Sequence, residues 1–108
     1  MVAREHRRVV TPGRVKVTRS LLKFCRDHAM PNVHLQELEA CLIALEDKDI
    51  EHVSKQVRLL SHAGMGSFVD WIPPVAFEHE DPEYVDAIWN ALLGHWLESM
   101  HVFRATEA

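Results

Sequence analysis

Apolar side chains recur every three or four residues in four separate stretches of this 108-residue chain, and that spacing is typical of amphipathic helices. The stretches cover residues 15–29, 33–46, about 50–61 and 81–103. A hydrophobic share of 47% is enough for one core, and the length fits one domain. The sequence therefore predicts an all-α fold: a small four-helix domain at residues 14–108.

Prolines and short polar residues mark the ends of these predicted helices. Pro31 ends the first helix, since proline disfavours the α conformation at the residue before it. Three positions are predicted N-caps for the second, third and fourth helices: Asn32, either Asp47 or Asp49, and Asp81. Pro12–Gly13 predicts a turn or a boundary that separates a basic N-terminal arm, residues 1–13, from the helical domain.

Residues 64–80 interrupt the helical pattern and predict a long loop between the third and fourth helices. Ser67 and Asp70 have the spacing of a capping box for one short turn. Large apolar residues from Trp71 to Phe77 follow, and then a run of acidic residues. Aromatic side chains beside a charged rim are typical of protein interfaces. The alternative is that Trp71 and Phe77 cover the open end of the core.

The charges of the chain are divided between its two ends. Residues 1–30 contain eight Lys and Arg against two Asp and Glu, whereas residues 31–108 contain four against fourteen. Four of the bases form a stripe on one face of the first predicted helix: Lys16, Arg19, Lys23 and Arg26. Such a stripe suits contact with nucleic-acid phosphates, although pairing with the acids of the same chain is an equal alternative.

Two pairs have the spacing of ligands in carboxylate-bridged metal sites of helical bundles. They are Glu98 with His101 and, as a degenerate copy, Asp49 with His52. A metal site of that kind needs ligands that project inward, but Glu98, His101 and His52 fall on polar arcs. The spacing therefore does not predict a di-metal centre.

A second set of potential ligands lies on the apolar arcs of the first two predicted helices. Cys25 and His28 are three residues apart, and His34 and Cys41 follow on the next helix. Cysteine and histidine are the usual ligands of tetrahedral zinc. However, Cys41 lies almost two turns beyond His34, so we expect buried thiols and hydrogen-bonded histidines instead. We predict no metal, no cofactor and no catalytic residue.

Two cysteines make no disulfide framework, which favours a reducing compartment and a cytoplasmic location. No run of 18 apolar residues is present, so no membrane span is expected. The apolar arc of the last predicted helix is wider than a surface helix needs. That helix is either central to the domain or the contact surface of a homo-oligomer.

Residues 59–70 contain a Gly-Met-Gly-Ser-Phe-x-Asp box between a predicted helix and an acidic loop. Over residues 35–103 the chain resembles a group of small uncharacterised bacterial proteins in which this box also precedes a C-terminal helix. The resemblance implies no assigned activity. Some similar small acidic proteins are immunity partners of bacterial toxins.

The expected function is a non-enzymatic protein-binding module, such as an immunity-type or regulatory partner of a basic protein. The predicted contact residues are Trp71, Phe77, Glu78, Glu80, Asp81 and Glu83. The alternative is a nucleic-acid-associated regulator that uses Lys16, Arg19, Lys23 and Arg26.

Overall fold

A computed structural model describes residues 10–62 and 66–105. These residues form five α-helices and a single 3-10 turn, with no strand among them. The elements are α1 (Pro12–Asp27), α2 (Asn32–Glu46), α3 (Ile50–Ser61), the 3-10 turn (Phe68–Asp70), α4 (Pro82–Ser99) and α5 (His101–Ala105). The predicted all-α fold is confirmed. No helix in this part of the chain is long and apolar enough to cross a membrane.

Pro12 is the first residue of α1 and Gly13 the second, so the predicted boundary is a helix start and not a turn. Thr11 is the N-cap, and its Oγ1 accepts a hydrogen bond from the N–H of Arg14. Proline fits the first helical position because its missing N–H has no partner to lose there. Val10, before the cap, is buried in the core. Residues 1–9 of the predicted arm lie outside the described residues.

The caps of the next two helices differ from each other. Asn32 is the first residue of α2 and not its cap, because Pro31 takes the N-cap position without a side-chain bond. Asp49 does cap α3, accepting from the N–H of His52. Two residues after the ends of α1 and α2, Ala29 and Lys48 both adopt the left-handed conformation more typical of glycine.

The helices close around one core. Helix α1 packs between α2 and α4, and α3 packs between α2 and α5. Phe68 in the 3-10 turn is buried and contacts the rings of Trp89 and Trp96. Inside the core, the indole N–H of Trp96 donates to Thr18 at 2.9 Å, which ties α4 to α1.

The last predicted helix is broken at Met100, and α5 follows the break. Arg14 donates from Nε to the carbonyl oxygen of Ser99 at 2.7 Å, which satisfies an acceptor at the end of α4. Met100 and Phe103, on either side of the new start, are both fully buried. The wide apolar arc is therefore largely used within the chain. Tyr84 is the large apolar side chain of α4 that remains strongly exposed.

Candidate functional site

The acidic loop is held against α1 by a buried pair of side chains. Nε2 of His28, the C-cap residue of α1, lies 2.8 Å from Oε2 of Glu80 at the end of the loop. The two side chains are only 4% and 5% exposed. Such a pair favours the loop position that keeps both groups partnered, because a buried charge without a partner is strongly destabilising.

The hydrogen bonds around this pair determine the charge of the Glu80 carboxyl group. Nδ1 of His28 lies 2.8 Å from the carbonyl oxygen of Phe24, which can only accept, so Nδ1 donates. Burial alone would raise the pKa of Glu80, but hydrogen bonds from Ala76, His28 and Phe77 outweigh it and hold that pKa below its usual value. Glu80 is therefore ionised at neutral pH. Nε2 of His28 faces this carboxylate, so the ring bridges Glu80 and the backbone of α1.

The beginning of the loop is anchored separately, by Trp71. Its ring packs edge-on against Trp89, with the ring centres 5.0 Å apart, and more distantly against Phe24. Pro73, two residues further on, is also buried. Trp71 is half-buried and so contributes to the fold, as the alternative interpretation of this loop expected.

Between the two anchors, the loop leaves large apolar side chains in solvent. Ile72 is 82% exposed, and Val75 and Phe77 are each 45% exposed. Tyr84, in the first turn of α4, is similarly exposed. The ring of His79 lies between Phe77 and Tyr84, with its centre 5.9 Å from each. We call Ile72, Val75, Phe77 and Tyr84 the loop patch.

Acidic side chains accompany the loop patch. Glu78, Glu83 and Asp86 are exposed, and none of them is paired with a cation in the described part of the chain. Asp81 is exposed too, but its carboxylate accepts from the N–H of Tyr84 as the predicted cap of α4. Glu80 does not belong to the exposed surface, because its carboxylate points to His28.

The six predicted contact residues therefore divide into two groups. Phe77, Glu78 and Glu83 are available to a partner, whereas Trp71, Glu80 and Asp81 hold the loop and the start of α4 in place. The loop patch also includes Ile72, Val75 and Tyr84, which were not among the predicted contact residues. The apolar composition of the loop included the first two, but nothing local distinguished exposed from buried members.

The basic stripe, which comprises Lys16, Arg19, Lys23 and Arg26, is exposed along α1. Three of its members pair with acids of the same chain. Arg19 lies 2.7 Å from Glu46 of α2, Lys23 lies 2.8 Å from Asp27, and Arg26 pairs with Glu39 of α2. The stripe therefore meets carboxylates of its own chain, which was the alternative to phosphate contact.

Neither set of potential metal ligands is brought together. Glu98 and His101 are exposed, as their polar arcs predict. Cys25 and Cys41 are buried free thiols, and burial raises the pKa of each to about 12. Among the residues that the structure describes, no three His, Cys, Asp or Glu side chains form a group able to hold a metal ion.

The Gly-Met-Gly-Ser-Phe-x-Asp box leads into the 3-10 turn. Gly64 and Met65 lie outside the described residues, whereas Gly66 has a φ of 79°, which suits glycine, and its carbonyl lies 3.0 Å from Nε2 of His34. The predicted turn forms, but the Ser67 hydroxyl donates to the carboxylate of Asp70 and accepts no capping hydrogen bond from a backbone N–H. No protein-family model matches the chain, and no curated protein or solved structure is detectably similar to it.

Proposed function

We propose that this chain is a non-enzymatic protein-binding module, and that its contact surface is the loop patch with the carboxylates beside it. The observation that carries the proposal is the contrast within one loop. Both ends of the loop are anchored, by Trp71 and by Glu80, yet Ile72 and Phe77 between them remain in solvent. Clustered apolar side chains with a polar rim mark interaction sites on proteins that are otherwise soluble.

Anchoring matters because association loses conformational freedom. A loop that is already held in place loses less of it on binding than a mobile one, so more of the interaction energy appears as affinity. Burying a side chain such as Ile72, which is now 82% exposed, contributes about 1.5–3 kcal/mol. Exposed carboxylates add little affinity themselves, but they increase the rate of encounter with a basic partner and disfavour acidic ones.

This surface suits an immunity-type or regulatory protein that covers a basic site on another protein. A reducing compartment such as the cytoplasm suits the two buried free thiols, Cys25 and Cys41. The basic stripe gives less support to a nucleic-acid function, since Arg19, Lys23 and Arg26 pair with acids of the chain.

The test is quantitative capture with a matched control. The wild-type chain, the double variant Ile72→Ser/Phe77→Ser and the control Val33→Ser are used as baits in a lysate of the producing cell. Val33 is 60% exposed on α2, far along the chain from the loop. A protein retained by wild type and control is then purified, and its Kd is measured by calorimetry.

We expect the double variant to bind that protein at least about tenfold more weakly, and the control to bind within about twofold of wild type. The substituted side chains are exposed, so each variant should retain a wild-type circular dichroism spectrum. Equal affinities of the double variant and wild type for every retained protein would refute the proposed surface.

A further inference from the structure

On the basis of the proposed protein-binding function, we infer the chemistry of the partner. Its contact segment carries arginine next to apolar side chains, and a guanidinium lies against the exposed rings of Phe77 and Tyr84. Three observations support this inference: the charge around the patch, the exposure of its rings and the internal pairing of the chain's own bases.

The charge around the patch has one sign. Residues 59–103 contain seven Asp and Glu and no Lys or Arg. Arg19, Lys23 and Arg26 of α1 pair with carboxylates of α1 and α2, away from the loop patch. Glu78, Glu83 and Asp86 therefore receive no cation from the rest of the described structure. A neutral or acidic partner would desolvate these carboxylates without compensating them, which opposes binding.

The rings favour guanidinium among the available cations. Phe77 and His79 are nearly parallel, with an angle of 13° between their planes, and Tyr84 is roughly perpendicular to His79. Phe77 and Tyr84 leave about half of their surface in solvent. A planar guanidinium stacks on such ring faces and also donates two hydrogen bonds to one carboxylate. Lysine ammonium is more strongly hydrated and makes neither contact as well.

A second copy of this chain is a less suitable occupant. The basic stripe of such a copy is already occupied within its own chain, since Arg19 and Arg26 are paired with Glu46 and Glu39. Docking that stripe onto the loop patch would exchange existing ion pairs for new ones with little gain. We therefore assign the patch to a different protein, and self-association becomes one outcome of the test.

The test uses the full ¹⁵N-labelled chain and a short capped peptide of alternating arginine and leucine. Two matched peptides replace every arginine, one with lysine and the other with citrulline, which keeps the shape but removes the charge. We expect the arginine peptide to shift amide signals mainly within residues 72–86. The lysine peptide should bind about threefold more weakly, and the citrulline peptide at least about tenfold more weakly.

Two double variants test separately the contributions of the aromatic rings and of the carboxylates. Phe77→Leu/Tyr84→Leu keeps apolar surface without the aromatic faces, and Glu78→Gln/Glu83→Gln removes two charges with little change of shape. Each double variant should bind the arginine peptide about three- to tenfold more weakly than wild type. The control Glu98→Gln changes one exposed charge near the other end of α4 and should leave binding within about twofold.

The inference is overturned by equal binding of the arginine and citrulline peptides, by amide shifts outside the loop patch, or by no shift at all. Concentration-dependent broadening of the patch signals without peptide would also overturn it, because a second copy would then be the occupant. In each case the capture experiment still decides the proposed function independently, since its double variant tests the surface whatever the partner's charge.

Discussion

Helix α1 and the loop that follows α3 both carry dense charge, but their surroundings differ. On α1, the basic stripe meets Glu39 and Glu46 of α2, so its arginines are paired within the chain. Around the loop patch, Glu78 and Glu83 meet no comparable cation in the described structure. Charge counted along the sequence treats both regions as candidate interfaces. The folded arrangement leaves the acidic one unneutralised and places exposed apolar side chains beside it.

The two regions also differ in how they are held. The basic stripe lies on a regular helix, whereas the loop between Trp71 and Glu80 has no helix of its own and depends on tertiary contacts. A surface on a loop is more useful for recognition when the loop is fixed, because less freedom is lost on binding. The buried contact of His28 with Glu80 fixes the end of the loop at the end of α1.

The largest expected effect comes from removing a buried contact between α1 and α4, the helix that follows the loop. Trp96→Ala removes the largest fully buried side chain and the indole bond to Thr18. We expect it to lower the free energy of unfolding by about 3–5 kcal/mol, measured by urea denaturation. Trp96→Phe is the control: it keeps most of the volume and should cost clearly less. Equal losses from both variants would show that the hydrogen bond, and not packing, dominates this contact.

The next effect is a loss of stability at acid pH, and it tests how the end of the loop is held on α1. Because hydrogen bonds hold the pKa of Glu80 below its ordinary value of 4.5, the ionised carboxylate stabilises the fold above that pH. This contribution is lost as the pH falls through the lowered pKa. We expect the melting temperature of wild type to decrease more steeply below about pH 4.5 than that of Glu80→Gln, which stays hydrogen-bonded but does not titrate.

Asp49 makes this comparison of variants necessary. Hydrogen bonds from His52 lower its pKa as well, so it also contributes acid sensitivity. Asp49 is unchanged in both proteins, and the difference between them therefore reports on Glu80. Parallel melting curves against pH would show that the loop is not held by an ionised Glu80.

How far the sequence predicts these features depends on the range of the interactions. Asp81 was identified as a cap, and Asp49 as one of two candidates, because a cap bonds to a backbone N–H three residues away. At Pro12 the sequence left a turn and a boundary open, because proline fits both a turn and the first position of a helix. The break at Met100 has no local signal, since neither proline nor glycine is present there.

The candidate site shows the same limit. His28 was expected to be buried and Glu80 to be exposed, but they are 52 residues apart and their pairing depends on how the loop returns to α1. Likewise, the apolar composition of residues 71–77 predicts an interface or a core cover, and the structure packs Trp71 on the core but leaves Ile72 and Phe77 exposed. Periodicity does not decide between them, because the loop has none.

A third prediction removes the acidic partners of the arginines on α1, so that the basic stripe becomes the region with unpaired charge. Glu39→Gln/Glu46→Gln removes the carboxylates that pair with Arg26 and Arg19. We expect duplex DNA to bind this variant about three- to tenfold more tightly than wild type at low salt, in fluorescence anisotropy. The slope of log K against log salt should steepen by about 0.9 for each additional phosphate contact.

Glu78→Gln/Glu83→Gln is the control for that measurement, because it makes the same change of net charge away from the stripe. An equal gain in DNA affinity for both variants would mean that net charge alone governs binding. Tight, salt-sensitive binding of DNA by wild type would instead support the nucleic-acid alternative. The internal ion pairs would then not prevent the basic stripe from contacting phosphates.

The smallest expected effect is on the free energy of unfolding. It tests whether the ion pairs of α1 stabilise the fold or mainly reduce the positive charge of its surface. Arg19 and Glu46 are both about half exposed, and a pair in that setting contributes roughly 0–1 kcal/mol to folding. A double-mutant cycle with Arg19→Gln and Glu46→Gln, measured by urea denaturation, should therefore give a coupling below about 1 kcal/mol. A larger coupling would make the pair a structural element of the fold. With the small coupling expected, its main consequence is electrostatic: it reduces the positive field of α1 and leaves the acidic surface as the stronger determinant of which proteins approach.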